Sequence, residues 1–447
     1  MEFGVRRLNN PAETIKAANQ PKLRLFLLPK KTATTPQVEC EGKWAVCTPD
    51  SIIQYGWSGF SAVGYFFGKE IHETRHVPVG LIETAWGGTP AQSWTSLEAL
   101  DANPALKYYA DKVTTNIKNT AQLKEKFEQE TLPQWQKEQD AWQAQYGAAH
   151  DAVMARWKKD VEQARAALQA APPEPVAAKP APRKPVFFTD SPYTPATLFN
   201  AMIHPLLPFG IKGVIWYQGE ANGGKVDTAR EYATLFPAMI ADWRQRWKVG
   251  DFPFLFVQLA GFAAGTAYPE LRDSQTSTLS VPNTGMAVAI DVGEANDIHP
   301  KNKAAVAHRL ALAARHVAYG ENVVDCGPMY AGMKADGSSV RVSFSHAEGR
   351  LVAGSPSTAG TKGSEEKPTG QLEGFEVAGT DGKFVRADAR IDGTAVMATA
   401  AEVPAPTAVR YGWKGFTEAN LYNQAGLPAS PFNSLSTRAL PDEHGHP

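Results

Sequence analysis

The chain has 447 residues, enough for one large domain with a smaller companion or for two or three of ordinary size. It carries 45 basic and 46 acidic side chains, a formal net charge of -1. That balance removes the electrostatic reason to expect nucleic acid or an anionic membrane as partner, and no apolar run approaches the length of a membrane span.

In chain order, LRLFLL (Leu23 to Leu28) is the first short apolar run that reads as a buried strand. VPVGLIETAW (Val77 to Trp86), IKGVIWYQG (Ile211 to Gly219), FPFLFVQLAGF (Phe252 to Phe262) and GMAVAIDVG (Gly285 to Gly293) follow it. Helical patterns lie between them, at Gly59 to Glu73 and Ala229 to Trp247. Strand and helix in alternation predict an α/β fold class with a mostly parallel sheet. Residues 97–171 interrupt the pattern with Lys, Glu, Gln and Ala, and with Trp135, Trp142 and Trp157 spaced through them. They read as an insertion of amphipathic helices. The proline-rich stretch 172–185 can be neither helix nor sheet and is predicted as an extended linker. From about residue 321 to 447 the strands shorten, and Asp336-Gly337, Asp381-Gly382 and Asp392-Gly393 mark tight turns, so this region is predicted β-rich.

Three segments carry candidate chemistry. TAWGGTPAQSW follows a predicted strand, and Gly87-Gly88 lets backbone amides approach a ligand closely, as an oxyanion donor must. VIWYQGEANGG ends another strand, where open α/β sheets place their ligands, and crowds Gln218, Glu220 and Asn222 into five positions. The Asn222 amide can donate to a developing oxyanion. In DVGEANDIHPKNK, His299 stands at a loop-to-helix junction suited to a general base, with Asp297 two residues before it as the acid that holds the imidazole. No Gly-x-Ser-x-Gly elbow is present, and Ser61 falls where a helix starts, a capping position. No phosphate loop or zinc spacing occurs, so no metal or cofactor is expected. Cys40, Cys47 and Cys326 are an odd number and form no disulfide framework, although Cys40 and Cys47 lie close enough in sequence to pair.

FSAVGYFFGKE (Phe60 to Glu70), VPVGLIETAWGGTPAQSW (Val77 to Trp94), TLFNAMIHPLLPFGIKGVIWYQGEAN (Thr197 to Asn222), DIHPKNK (Asp297 to Lys303), VRYGW and ANLYNQAGLPASPF together resemble the sialate O-acetylesterases of the SGNH-hydrolase superfamily. The resemblance implies a three-layer α/β/α, flavodoxin-like esterase domain over 1–320, and hydrolysis of acetyl esters on sialic acid or related sugars. It implies His299 as base with Asp297 as partner, Asp291 being the fallback acid. It places Gly88 and Asn222 in the oxyanion hole, and Trp86, Gln218 and Glu220 line the expected substrate pocket. The expected partner is an O-acetylated carbohydrate.

The family's nucleophile lies in a Gly-Gln-Ser-Asn-Met-Glu motif that continues much like Met1-Glu2-Phe3. The resemblance thus puts the serine two residues before Met1 and implies that 1–447 is inactive and poorly stable by itself. The strand preceding that serine would lie between LRLFLL and VGLIETAW. MEFGVRRLNN has no apolar export signal, while the resemblance implies a periplasmic or secreted full-length form. Two rival readings remain: an acetylxylan or other polysaccharide deacetylase, and a non-catalytic binder of acetylated sugar.

Overall fold

A computed structural model describes residues 1–54, 58–177, 179–355, 365–366 and 371–436. Residues 55–57, which include the start of the glycine-rich GWSGFSAVG stretch, and parts of the predicted β-rich region (356–364, 367–370 and 437–447) lie outside the described residues. In chain order the main elements are β1 (Gln20–Leu27), β2 (Trp44–Cys47), α1 (Ala62–Arg75), β3 (Val79–Glu83), α2 (Leu132–Trp142), α3 (Ala148–Ala166), β4 (Val214–Trp216), α4 (Val226–Trp247), β5 (Phe254–Gln258), α5 (Tyr268–Ser277), β6 (Thr284–Val288) and α6 (Lys303–Val317). A run of short strands follows, from Met329–Asp336 to Phe432–Asn433. This is the α/β class with a C-terminal β-rich region that the sequence predicts. No helix among the described residues is long and apolar enough to cross a membrane.

The chain divides into two compact units: residues 2–62 with 78–208, and residue 1 with 63–77 and 209–447. In the first unit, β1 pairs in parallel with β3, Leu23 opposite Val79 through Leu27 opposite Glu83. The strand predicted to separate these two runs is therefore not needed to join them. Both are apolar and run the same way, and they share a ladder directly. β2, which the sequence pattern hid, pairs antiparallel on the other edge of β1. Cys40 and Cys47 are both free, and the buried Cys47 thiol donates to the Ala18 carbonyl at 3.4 Å.

The insertion is helical through Ala166, with π turns at Phe127–Thr131 and Gln143–Gly147. The described residues of the proline-rich stretch that follows form neither helix nor strand, residue 178 lying outside them, and the stretch is held rather than loose. Three indole N–H groups donate to its carbonyls: Trp135 to Pro182 at 3.1 Å, Trp142 to Lys179 at 3.0 Å and Trp157 to Pro172 at 3.1 Å. The Lys179 ammonium lies over the Tyr146 ring and the Lys184 ammonium over Trp135. The prolines lack the N–H groups that would pair carbonyls locally, and the tryptophans supply donors to Pro172, Lys179 and Pro182.

In the second unit, β4, β5 and β6 form a parallel sheet in the order of the sequence, Val214 opposite Phe254 opposite Thr284. All five residues of β5 are buried, as a strand covered on both faces requires. α4 buries Tyr232, Leu235, Phe236, Met239, Ile240, Trp243 and Trp247, spaced at helical period. Phe236 meets Phe256 edge-on at 5.1 Å, and Trp243 meets Phe254 at 5.7 Å. Each such buried side chain contributes roughly 1.5–3 kcal/mol. The C-terminal strands alternate: Val340, Val342 and Phe344 of Ser339–Ser345 point into a core with Phe375, Tyr411 and Phe432. The aspartate-glycine turns fall where predicted, with Gly337, Gly382 and Gly393 at positive φ.

Candidate active site

Each candidate residue sits in a loop just after a parallel strand or just before a helix. In the second unit, β4 ends at Trp216 and the chain enters Tyr217 to Asn222. Gly219 has φ +155°, and a Cβ there would stand 2.7 Å from Leu271 Cδ2, so the turn needs glycine. The backbone amides of Asn222 and Gly223 both donate to the Gly219 carbonyl at 2.9 Å, closing a tight turn. Asn222 is 2% exposed. Its Oδ1 accepts from Gln218 Nε2 at 2.8 Å, and its carbonyl accepts from Thr228 Oγ1. Gln218 Oε1 accepts from the Tyr232 hydroxyl at 3.0 Å. Glu220 lies near three phenols. Burial first, and the Glu220 charge next, push the Tyr217 and Tyr268 pKa values up, and the Tyr232 value rises through burial with Glu220 adding to it.

The second segment in this unit precedes α6. Asp297 Oδ1 accepts from the His299 backbone amide at 2.9 Å and stands 3.7 Å from His299 Nδ1. The carboxylate thus fixes the turn, and its approach to the ring is longer than a hydrogen bond. The imidazole is about half exposed. Lys301 and Glu294 brace the same loop: the Lys301 amide donates to Glu294 Oε1 at 3.0 Å. Two residues on, the buried Lys303 ammonium lies 4.9 Å from the Tyr217 ring centroid, which ties this segment to the Tyr217–Asn222 loop.

Asp291 is engaged elsewhere. Its two oxygens accept from the Arg309 fork at 2.6 and 2.7 Å, and the Tyr422 hydroxyl reaches Oδ2 at 3.3 Å. Burial pulls the Arg309 pKa down, and the charge and hydrogen bonds of Asp291 more than offset it. A bidentate pair of this kind holds α6 to the strand end.

In the first unit, β3 leads into Trp86-Gly87-Gly88. The Gly87 amide donates to the Glu2 carboxylate, which also pairs with Lys30. Gly88 has φ +77° and open space where a Cβ would stand. The Lys30 ammonium lies 5.4 Å from the Trp86 ring centroid, and the Trp86 carbonyl accepts from Thr89 Oγ1.

Sequence reasoning missed Tyr232 and Gln275. Gln275 Nε2 donates to the carbonyls of Gln218 and Val257, and its Oε1 accepts from the Leu259 amide at 2.9 Å. Both lie inside helices whose apolar period conceals them.

A family model described as carbohydrate esterase, sialic acid-specific acetylesterase, matches residues 194–317. Sialate O-acetylesterase of Rattus norvegicus is 30% identical over 74% of this chain and 57% of its own length. The Mus musculus protein of the same name is 29% identical over the same shares. The chain spans about half the length of these curated relatives. A crystal structure of a carbohydrate acetylesterase from Xanthomonas citri is 33% identical, with a TM-score of 0.70, over 98% of this chain and 78% of that one.

Proposed function

This chain belongs to the sialic acid-specific acetylesterase family of carbohydrate esterases, and from that premise we propose that it supplies the general base and oxyanion donors for hydrolysing acetyl esters on sialic acid or a related sugar. His299 takes the proton of a serine hydroxyl, and the serine oxygen bonds to the acetyl carbon. Asp297 holds the His299 turn and faces the ring. The Asn222 side-chain amide and the Gly88 backbone amide donate to the tetrahedral oxyanion. Collapse expels the sugar oxygen, which takes the proton from the imidazolium. Water, deprotonated by His299, then attacks the acetyl-serine ester; collapse releases acetate, and the imidazolium returns its proton to the serine oxygen. Trp86 and Glu220 line the approach of the sugar. On this reading the protein acts in the periplasm or outside the cell.

The serine on this reading is that of the family's Gly-Gln-Ser-Asn-Met-Glu motif, whose last two residues match Met1-Glu2. One observation carries this reading: the Met1 amino nitrogen lies 3.2 Å from the Tyr217 carbonyl, at the start of the loop that holds Asn222. The Met1 end of the motif therefore lies beside the loop that carries the proposed oxyanion donor. The engagement of Asp291 by Arg309 supports Asp297 as the acid.

The test measures acetate release from O-acetylated sialic acid and from acetylated xylan, using 1–447 and a chain extended upstream through the serine motif. The expected result is activity in the extended chain alone, falling at least 10²-fold in His299→Ala. Equal activity in both chains overturns the assignment of the serine. Sugar affinity without acetate release in the extended chain makes the protein a binder. Preference for acetylated xylan makes it a polysaccharide deacetylase.

A further inference from the structure

An asparagine can act as an oxyanion donor only when its nitrogen faces the reacting group. The two ends of a side-chain amide have nearly the same size, so packing alone does not choose between them. Something must set the polarity.

The chain of contacts behind Asn222 begins at a group that cannot reverse. The Trp216 indole Nε1 is a donor only, and it donates to the Tyr232 hydroxyl at 3.3 Å. Tyr232 is fully buried, and burial keeps its phenol protonated, so it has one proton to give. That proton goes to Gln218 Oε1 at 3.0 Å. With its oxygen fixed there, Gln218 presents Nε2 to Asn222 Oδ1 at 2.8 Å. Asn222 then turns its oxygen towards Gln218 and its nitrogen to the other side. The backbone is fixed independently, since Gln275 ties the Gln218 carbonyl to that of Val257 at the end of β5. We propose that Gln218 is a positioning residue that, through this one-way chain from Trp216 and Tyr232, fixes which end of the Asn222 amide faces the reacting ester.

This role rests on the reading of Asn222 as an oxyanion donor, and it distinguishes Gln218 from a sugar-binding residue. Gln218→Glu is the discriminating change. The carboxylate keeps the size and still accepts from Tyr232, but it has no proton to give Asn222 Oδ1. Asn222 must then turn its nitrogen to the carboxylate and its oxygen to the ester. A reversed amide repels the oxyanion that it formerly stabilised.

The experiment measures kcat and KM on O-acetylated sialic acid in the extended chain, for Asn222→Ala, Gln218→Glu, Tyr232→Phe and each pair with Asn222→Ala. Removal of one oxyanion donor lowers kcat by roughly 10²–10³. Gln218→Glu is expected to match Asn222→Ala in kcat, with KM nearly unchanged, and to add little in the Asn222→Ala background. Tyr232→Phe is expected to lower kcat less, and only while Asn222 is present. Full multiplicative losses in the double variants overturn the proposal, because Gln218 then acts independently of Asn222. An unchanged kcat in Asn222→Ala overturns the oxyanion reading itself. Chain 1–447 gives a readout without turnover. Its Gln218 side-chain amide protons, assigned in NMR spectra by their loss in Gln218→Glu, are expected to exchange slowly and to lose that protection in Asn222→Ala. Fast exchange in the unmodified chain overturns the proposal.

Discussion

Glu83 closes β3 with a carboxyl that is 8% exposed and accepts from the Ser61 amide at 2.8 Å. Burial pushes its pKa up to about 7. The Ser61 amide and Lys30 pull the other way, and Glu2 adds to the rise. Between the usual carboxylate range and about pH 7 the folded chain therefore holds a proton that the unfolded chain has lost. Stability contributed by this proton is full at low pH and is lost as pH rises through about 7. The stability difference between wild type and Glu83→Gln, read from urea midpoints, is expected to fall by about 3 kcal/mol across pH 4.5–7. A flat difference would mean that water reaches the carboxyl. Other residues were legible to different degrees. Asn222 and His299 stood out because polar side chains gather directly after apolar strands or before a helix. Tyr232 and Gln275 did not, because each contributes one atom from a helix whose pattern reports only its buried face. The pairing of Asp291, the fallback acid, with Arg309 was not legible, because the two are 18 residues apart.

At the scale of elements, short apolar runs located five parallel strands; β5 and β6 are buried almost throughout, as strands covered on both faces are, while β1, β3 and β4 are only partly buried. β2 was hidden because only Cys47 of its four residues is buried, which leaves no alternation to read. That the proline-rich stretch is neither helix nor strand was legible for its described residues, but its attachment was not, since backbone carbonyls carry no sequence signal. The indole hydrogen bonds are specific enough to test. Trp135→Phe with Trp142→Phe keeps aromatic bulk and removes two donors. Trypsin cleavage after Arg183 is expected to accelerate several-fold in this variant while the helices keep their circular dichroism. Each lost bond to a partly buried carbonyl is worth about 1 kcal/mol, enough to shift local opening. An unchanged cleavage rate would show that the prolines hold the stretch extended unaided.

Across the whole molecule, the β-rich C-terminal region and the β4–β6 sheet fall in one compact unit, and Arg272 is a reason for it. Its side chain is fully buried and donates to the carbonyls of Leu259 and Ala260 beyond β5, and to those of Lys414 and Gly415 near the C-terminus. Burial pulls its pKa down to about 10, with the nearby Tyr268 and Tyr217 pulling it up, so it stays charged at neutral pH. Four carbonyls from two stretches of chain thus converge on one guanidinium. Arg272→Met leaves all four without that donor, and a loss of at least about 4 kcal/mol is expected in urea denaturation. A loss below about 1 kcal/mol would show that the two stretches hold together without it. This tie was not legible from the amino-acid pattern, because all its acceptors are backbone carbonyls, two of them 142 and 143 residues away.

The tryptophan contacts along the proline-rich stretch also act as a gauge of length. Trp135 and Trp142 are seven residues apart on the helix and their acceptors three apart on the extended chain, spans of about 10.5 and 9.3 Å. Trp142 and Trp157 are fifteen apart and their acceptors seven apart, again about two to one. Two helical residues advance about as far as one extended residue, so the two tracks keep step like scales ruled in different units. Changes of length in this part of the protein are therefore constrained to occur in pairs, about two helical residues for each one on the proline track. An unmatched insertion between two of these anchors puts every later tryptophan out of reach of its carbonyl.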